Sequence, residues 1–289
     1  MRMLIGAFAV AAAPLLLSAQ WPDFKDPKVP HTSAGQPDLS SPAPRTPEGK
    51  PDLSGIWDNG RNTNIPQRGA RGADLNAAPA GNRGARGAAP TGVDGIRSAT
   101  FFNVGAGFPG DLPFQPWALE LMKKRQADNS KDNPDAHCLP MGFMQFHTHS
   151  QPRKIVQTRD MVLIIYEANS GLRQIFTDGR ALPGKDAQPW WYGYSVGRWE
   201  GDTLNVQTTG FIDNIWLDVR GSPMTSEAKV TEKFRRVNYG NLEIEITVDD
   251  PKAYTKPWTV KVNQRIYPDT ELIEFICEDR DATHYVGAQ

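Results

Sequence analysis

The feature of the sequence that most constrains its fold is a succession of short strand-like segments after residue 150. Each segment is rich in β-branched and aromatic residues and is bounded by Gly, Pro, Asp or Asn, which favour turns. The links between successive segments are of hairpin length, so an antiparallel meander is favoured. The predicted strands are 154–158, 161–167, 172–177, 192–199, 203–209, 228–237, 242–248, 259–267 and 272–277.

A further strand is predicted at 53–59, where Trp57 is a large anchor that requires a core. A meander of about 8–10 strands removes its exposed edges best by closing into a barrel. The sequence therefore predicts an all-β protein built on an antiparallel up-and-down β-barrel. A two-sheet sandwich is the alternative.

The clearest hairpin is predicted at 192–211, with its turn at 200–202. Side chains alternate along a strand, so Tyr194 and Arg198 share one face of the first arm and Trp199 lies on the other. We expect this arm to make the barrel interior polar enough to recognise a ligand.

The segments that precede the barrel differ in composition. Eight prolines make 20–52 an extended linker, because proline interrupts both helices and sheet ladders. After the strand at 53–59, the Gly- and Arg-rich segment 60–100 has few large apolar side chains and is predicted to be a disordered loop. A helical insert containing one short helix is predicted at 101–136, and the β-barrel domain at 137–289.

The charge balance argues against nucleic acid as a partner. The chain has 289 residues with 32 basic and 33 acidic side chains, a formal net charge of −1. Such a chain has no field that gathers nucleic acid or an anionic membrane. An RGG-like nucleic-acid tail is the alternative interpretation of 60–100, but such tails need a basic excess and interleaved aromatic residues.

The first 19 residues have the pattern of a secretory signal peptide. Arg2 precedes an apolar run from Leu4 to Leu17, and Ser18 and Ala19 supply small residues suited to cleavage. A transmembrane anchor is the alternative, but the run is shorter than the about 20 residues that span a bilayer. We therefore predict a periplasmic or secreted protein with no membrane insertion after signal cleavage.

The two cysteines of the sequence, Cys138 and Cys277, are predicted to form a disulfide, because export delivers the chain to an oxidising compartment. The bond would tie the segment that enters the barrel to the last predicted strand. In the chain-entropy model a loop of this size stabilises the fold by about 4 kcal/mol or more. Two buried thiols are the alternative.

His147 and His149 form the sharpest local pattern. At strand spacing both imidazoles point to one side, as two metal ligands do. His137 and Glu167 are candidates for a third ligand. The pattern makes a divalent metal the one cofactor that the sequence suggests, and two solvent-facing histidines are the alternative.

Glu232 lies between two apolar residues on one face of a predicted strand, so its carboxyl group must be paired or have a raised pKa. With a raised pKa it could act as a general acid or base. In a buried ion pair it would be structural, which is the interpretation we favour. The candidate partners are Arg198, Arg236 and Arg265.

Asp178 and Arg180 lie in the turn after the predicted strand 172–177. One interpretation is an ion pair within the turn. The other places both groups at the rim of the barrel, where loops on a rigid scaffold carry binding residues. Asp178 therefore joins Glu232 and His147 as a candidate catalytic residue.

The aromatic residues that precede the hairpin lie in a loop, where packing demands are lower. Trp190 and Trp191 could line the mouth of a cavity that stacks a sugar or an aromatic ligand. The candidate ligand-binding residues are Trp191, Tyr192, Tyr194, Arg198, Arg180 and Glu167.

Gly55 and Trp57 resemble the G-x-W motif on the first strand of lipocalin-like (calycin) barrels. Arg265 is similarly placed to the late-strand arginine that covers that tryptophan in the family. The resemblance implies a lipocalin-like barrel in which Arg265 covers Trp57.

A wider resemblance is to a group of exported proteins of soil bacteria to which no reaction is assigned. The shared motifs are PDLSGxW at 51–57, PWA at 116–118, CLP at 138–140, QIFTDGR at 174–180, YSxGRWEGDTL at 194–204, WLD at 216–218, SExxxTExFRR at 226–236, DPxAYTxPWT at 250–259 and the late Cys277. Because both cysteines belong to these shared features, the resemblance strengthens the prediction of the disulfide.

The sequence lacks a nucleophile elbow, a P-loop, a dinucleotide fingerprint and an HExxH motif. We predict that the protein binds a small apolar or aromatic molecule in the cavity of the barrel. The alternative is an exported hydrolase or lyase that acts on a small molecule or sugar with carboxylate and histidine residues in the same cavity. A structural role in the cell envelope is a third hypothesis.

Overall fold

The structure is a computed structural model that describes residues 26–59, 95–268, 270–275 and 277. The predicted signal peptide 1–19 and most of the Gly- and Arg-rich segment 60–100 lie outside the described residues. Of the two described α-helices, neither is long and apolar enough to cross a membrane.

The described chain contains twelve strands, two α-helices and two short 3-10 helices. The α-helices are α1 (Pro116–Ala127) and α2 (Phe143–Thr148), and the 3-10 helices are Pro134–His137 and Ala168–Ser170. The strands are β1 (Gly55–Asp58), β2 (Arg97–Ser98), β3 (Arg153–Gln157), β4 (Met161–Tyr166), β5 (Leu172–Phe176), β6 (Tyr194–Glu200), β7 (Thr203–Thr209), β8 (Ile215–Trp216), β9 (Pro223–Met224), β10 (Lys229–Asn238), β11 (Asn241–Asp249) and β12 (Trp258–Ile266).

Nine of these strands form a closed ring. Their order is β1, β3, β4, β5, β6, β7, β10, β11, β12, and β12 pairs back with β1. Strand β8 pairs with β9 in a separate small sheet. The prediction of an all-β barrel with a short helix is confirmed, and the predicted hairpin is β6 and β7.

One neighbouring pair in the ring departs from the predicted up-and-down order. Strands β5 and β6 are parallel and share two register pairs, Ile175 with Ser195 and Phe176 with Val196. The antiparallel pair of β6 and β7 shares seven. The reason is that residues 177–193 are too long for a hairpin link, and a parallel pair needs such a crossover.

Two further sequence predictions are corrected. Residues 270–275 and Cys277 form no strand, although 272–277 was predicted to be one. Residues 95–100 were predicted to be disordered, but they include β2, which pairs with β12 at Val260 and Lys261. That part of the β12 edge is accessible because the short strand β1 pairs only with Arg265 and Ile266.

The predicted disulfide between Cys138 and Cys277 is present, with a Cα–Cα distance of 5.4 Å. Cys138 follows the 3-10 helix Pro134–His137, so the bond fixes the chain just before α2. Nearby, the amide of Ile273 donates to Glu167 Oε2 at 3.1 Å. Lys154 Nζ also donates to Glu271 Oε2 at 2.9 Å. The segment after β12 is therefore held by a disulfide, an ion pair and single hydrogen bonds instead of a sheet ladder.

Residues 26–52 contain no helix or regular strand and run past the turns at one end of the barrel. The amide of Gly240 donates to the carbonyl of Leu39 at 2.8 Å. Arg45 forms a bidentate pair with Asp202 at the tip of the β6–β7 hairpin, with distances of 2.8 and 2.7 Å. The hairpin tip thus anchors the segment that precedes the barrel.

The core lies inside the ring, where alternate residues of each strand point inward and are buried. Examples are Leu204 and Val206 on β7 and Ile244 and Ile246 on β11, all 0 % exposed. Helix α2 packs against the inner wall, and all six of its residues are buried. The inward positions are therefore occupied by close-packed side chains.

Trp57 on β1 is fully buried, but the arginine that covers it is Arg236 on β10. The Arg236 guanidinium carbon lies 4.9 Å from the Trp57 ring centroid. Arg265, which the lipocalin resemblance placed there, is exposed and lies opposite Asp58. The reason is that Ile266 takes the inward position next to Trp57, so Arg265 points outward.

Candidate ligand-binding site

A buried ion pair lies on the inner face of the barrel wall. Glu232 on β10 is 0 % exposed and Arg173 on β5 is 2 % exposed. Arg173 Nη1 donates to Glu232 Oε1 at 2.9 Å, and Arg173 Nη2 donates to Glu232 Oε2. The two groups therefore form a bidentate pair, which is a strong arrangement of a guanidinium with a carboxylate.

The partner of Glu232 is none of the three arginines that the sequence suggested. Arg198 and Arg265 point outward and are exposed, while Arg236 donates to backbone carbonyls beside Trp57. Arg173 reaches Glu232 across the interior from a strand that is not its neighbour. The sequence does carry a signal for this role, since Arg173 shares a strand face with the buried Ile175.

His147 joins the ion pair from helix α2. Its Nε2 lies 2.9 Å from Glu232 Oε1. Because a carboxylate oxygen only accepts, we assign the imidazole proton to Nε2, which donates to Glu232. The Nδ1 atom of His147 is buried without a hydrogen-bond partner among the described residues.

Two hydroxyl groups complete this arrangement. Arg173 Nη2 donates to Ser195 Oγ and to Thr208 Oγ1, both at 3.1 Å. The two hydroxyl oxygens are 2.9 Å apart. We call His147, Arg173, Ser195, Thr208 and Glu232 the inner cluster, and each of these side chains is at most 2 % exposed.

Burial and pairing act in opposite directions on the pKa of Glu232. Burial raises it, but the charge and hydrogen bonds of Arg173, together with the hydrogen bond from His147, outweigh burial and lower the pKa to about 2. Burial lowers the pKa of His147 below its usual value despite the bond to Glu232. At neutral pH the inner cluster is therefore a carboxylate, a guanidinium and a neutral imidazole.

The inner cluster fits a structural role better than acid–base catalysis. A general acid or base needs a pKa close to the working pH and access to the substrate. The Glu232 carboxylate has a low pKa, and both of its oxygens are bonded. These groups hold strands together through a buried polar network in which both Glu232 oxygens and the Arg173 guanidinium are bonded.

The predicted pairing of His147 with His149 depended on strand spacing, which the structure corrects. Residues 143–148 form helix α2, and the Gln145 side chain accepts a hydrogen bond from the amide of Gly142 at 3.3 Å, just before the helix begins. His149 follows the helix and packs edge-on against Phe101 at 4.8 Å. The two imidazoles therefore lie in different surroundings.

The candidates for a third metal ligand also have other partners. His137 Nε2 lies 2.9 Å from the carbonyl oxygen of Lys131, and Glu167 accepts from the amide of Ile273. No group of three or more His, Cys, Asp or Glu side chains in the described part of the chain could hold a metal ion.

An aromatic groove lies outside the barrel wall, between β5 and residues 190–194, and its cavity volume is about 340 Å³. The Trp190 and Tyr194 ring centroids are 5.2 Å apart, and Tyr194 stacks on Phe176 at 5.2 Å. The three rings therefore form a continuous row. We call this cavity the aromatic groove, and its lining residues are Leu172, Arg173, Gln174, Phe176, Trp190, Trp191, Tyr192, Gly193, Tyr194 and Ser195. Arg173 and Ser195 belong both to this lining and to the inner cluster.

The main chain holds Trp190 at this surface. Its amide donates to the carbonyl of Gly210 at 2.8 Å, and its carbonyl accepts from the amide of Ile212 at 3.0 Å. Gly210 has a φ of +71°, and a Cβ there would lie 3.1 Å from the Trp190 ring. The ring is therefore positioned by a fixed backbone while 37 % of the residue stays exposed.

Arg180 lies at one end of the aromatic row. Its guanidinium carbon is 3.8 Å from the Phe176 ring centroid, and its Nη1 donates to the Tyr194 hydroxyl oxygen at 3.1 Å. Arg180 Nε also donates to Asp178 Oδ2 at 2.9 Å. Hydrogen bonds from Arg180 lower the pKa of Asp178, so this carboxyl group is ionised at neutral pH.

A polar groove of about 500 Å³ continues from Arg180 over the outer faces of β6, β7 and β10. Arg198 lies opposite Asn205, and Gln207 lies opposite Thr231. We call the cavity lined by Arg180, Leu182, Val196, Arg198, Glu200, Asn205, Gln207 and Thr231 the polar groove.

The site cannot be assigned from similarity to known proteins. Comparisons with models of protein families, with curated proteins and with solved structures give no match to this chain. The two resemblances drawn from sequence motifs stay predictions. The geometry of the inner cluster and the two grooves therefore carries the functional conclusion.

The structure places five of the six candidate ligand-binding residues along the two grooves, and these are Arg180, Trp191, Tyr192, Tyr194 and Arg198. Glu167 lies elsewhere, buried before the 3-10 helix Ala168–Ser170.

We expected Tyr194 and Arg198 to face the interior, and the structure corrects this. Ser195 pairs with Thr208 and points inward, so its neighbours in the strand point outward. Phe176 and Gln207 were missed as lining residues. The available signal for Phe176 was the row of outward side chains on β5, which begins with the exposed Leu172.

Proposed function

We propose that this protein binds a small apolar or aromatic molecule, and that the ligand lies in the aromatic groove. The observation that carries the proposal is the row of Trp190, Tyr194 and Phe176 along a cavity outside the wall. Large rings held near the surface by a fixed backbone offer a preformed flat apolar area. Such an area favours a ligand that is itself flat.

The size of the groove supports this location. Its volume of about 340 Å³ lies at the lower end of the range of about 300–1,000 Å³ for small-molecule pockets. The inward positions of the barrel, by contrast, are occupied by the apolar core and by helix α2. We therefore place the ligand on the outer side of β5 and β6, and not in the barrel interior as the sequence suggested.

The alternative of an enzyme has no comparable support. Glu232 and His147 are sealed in the inner cluster, and the Glu232 carboxylate is held ionised by Arg173. Asp178 is bonded to Arg180. Burial lowers the pKa of His147, and pairing with arginine lowers the pKa of Glu232 and of Asp178, so each pKa shifts away from the neutral range that suits proton transfer.

A tryptophan substitution tests the location of the ligand. We expect 4-methylumbelliferone, a flat aromatic probe, to bind the wild-type protein. The substitution Trp190→Ala should weaken its Kd by about tenfold, because aromatic stacking contributes about 0.5–1.5 kcal/mol. Isothermal titration calorimetry measures both affinities.

Trp117→Ala is the matched control. Trp117 on α1 is 44 % exposed, which is comparable to the 37 % of Trp190, but it does not line either groove. The control variant should bind the probe as tightly as the wild type. An unchanged Kd in Trp190→Ala, or an equal loss in both variants, would contradict the proposal.

We also propose that the protein is exported. The signal-like pattern of residues 1–19 and the disulfide between Cys138 and Cys277 both support this. N-terminal sequencing of protein recovered from a bacterial periplasm or medium should give a mature chain that begins at Gln20. Recovery of the uncleaved chain with free thiols in the cytoplasm is the opposite outcome.

A further inference from the structure

We infer that the ligand is a glycosylated aromatic molecule, with its aromatic ring in the aromatic groove and its sugar in the polar groove. The inference rests on the proposed function and names the chemical class of the ligand. It starts from the fact that the two grooves share one boundary residue, Arg180, which contacts Phe176 and Tyr194 and also lines the polar groove.

The two grooves lie along one face of a single strand. Tyr194, Val196 and Arg198 all point outward from β6, and they run from the aromatic groove into the polar groove. At about 3.3 Å per residue, Tyr194 and Arg198 are roughly 13 Å apart along the strand. This span suits an aromatic ring joined to a sugar ring.

The polar groove offers both donors and acceptors. Arg198 can only donate and Glu200 can only accept, whereas Asn205, Gln207 and Thr231 can do both. Sugar hydroxyls also donate and accept at once, so they match such a mixture. An apolar group would leave these side chains without hydrogen bonds when it displaced water.

The polar side chains are free to bind, and the strands hold their backbone positions. Arg198, Asn205 and Gln207 make no side-chain hydrogen bond or ion pair with any described residue. Each stands on a strand whose register is set by its neighbours. Opposite residues on paired strands have Cβ atoms about 4.5–5.5 Å apart, so adjacent side chains can contact neighbouring hydroxyls of one sugar.

The experiment compares 4-methylumbelliferone with its β-glucoside, β-galactoside and β-cellobioside by isothermal titration calorimetry. At least one glycoside should bind the wild type about tenfold more tightly than 4-methylumbelliferone does, since several added hydrogen bonds contribute about 0.5–1.5 kcal/mol each. Gln207→Ala should weaken that glycoside by about fivefold and leave 4-methylumbelliferone unchanged.

Asn263→Ala on the outer face of β12 is the control, because Asn263 is exposed and lines neither groove. It should leave both affinities unchanged. If no glycoside binds more tightly than 4-methylumbelliferone, or if Gln207→Ala weakens both ligands equally, the inference is overturned while the proposed function stands. If neither 4-methylumbelliferone nor any glycoside binds, both proposals fail.

Discussion

The two faces of strands β5, β6, β7 and β10 differ in burial and in the bonding of their polar side chains. The inner face carries the sealed cluster, and the outer face carries the two grooves. Each strand supplies adjacent residues to opposite faces. The pairs are Arg173 and Gln174, Ser195 and Tyr194, Thr208 and Gln207, and Glu232 and Thr231.

Residue type alone does not locate a functional site in this barrel wall. Glu232 and His147 have the chemistry of catalytic residues, but burial and mutual bonding make them structural. Gln207 and Thr231 have uncharged side chains that are not typical of catalytic residues, but they line the polar groove and are available for hydrogen bonds. A shift of one residue along a strand decides between the two roles.

The largest effect should come from breaking the inner ion pair. In Glu232→Gln the Arg173 guanidinium would stay buried without its counter-charge, so the free energy of unfolding should fall by about 3–5 kcal/mol. Urea denaturation at pH 7 measures this loss. It should exceed the effect of any single substitution in the two grooves.

The control is Glu245→Gln, which removes a surface pair with Lys233 at 2.8 Å and should change stability by less than about 1 kcal/mol.

The loss of unfolding free energy in Glu232→Gln should also become smaller at low pH. Because folding lowers the pKa of Glu232 to about 2, its contribution is complete above its unfolded pKa near 4.5 and declines as the pH falls towards 2. If Glu232→Gln lowers the free energy of unfolding equally at pH 7 and pH 3, the charge of Glu232 does not contribute to stability.

An intermediate effect is expected from two adjacent threonines. Thr208→Val removes a buried hydroxyl bonded to Arg173 and Ser195, and should lower the free energy of unfolding by about 1–3 kcal/mol. Thr209→Val, one residue further and on the outer face, should change it by less than about 0.5 kcal/mol. Thermal or urea denaturation of both variants checks the pair. Similar losses in the two would contradict the assignment of faces.

The barrel could be predicted from the sequence because its signals are local. Alternation in segments such as 203–209 and the turn at Gly201 specify the strands and the hairpin between them. The disulfide could be predicted because the sequence offers only Cys138 and Cys277. These features depend on neighbouring residues or on a small number of choices.

The features that could not be predicted depend on contacts between distant segments. Helix α2 was not predicted, and His147 and His149 were placed at strand spacing, since six buried residues show no amphipathic pattern. To predict the pairing of Arg173 with Glu232, one must know where β5 lies relative to β10. The parallel pairing of β5 with β6 changes that relative position. Alternation divides the residues of the first hairpin arm between two faces. The neighbouring residues do not determine which of these faces packs against the core.

The parallel pair of β5 and β6 is a short junction in the ring. Two register pairs join these strands, but the Arg173 guanidinium also crosses that junction to reach Ser195 on β6, Thr208 on β7 and Glu232 on β10. At this short main-chain junction, side chains tie four strands together. The guanidinium that bridges this junction is therefore also the counter-charge of the buried Glu232 carboxylate.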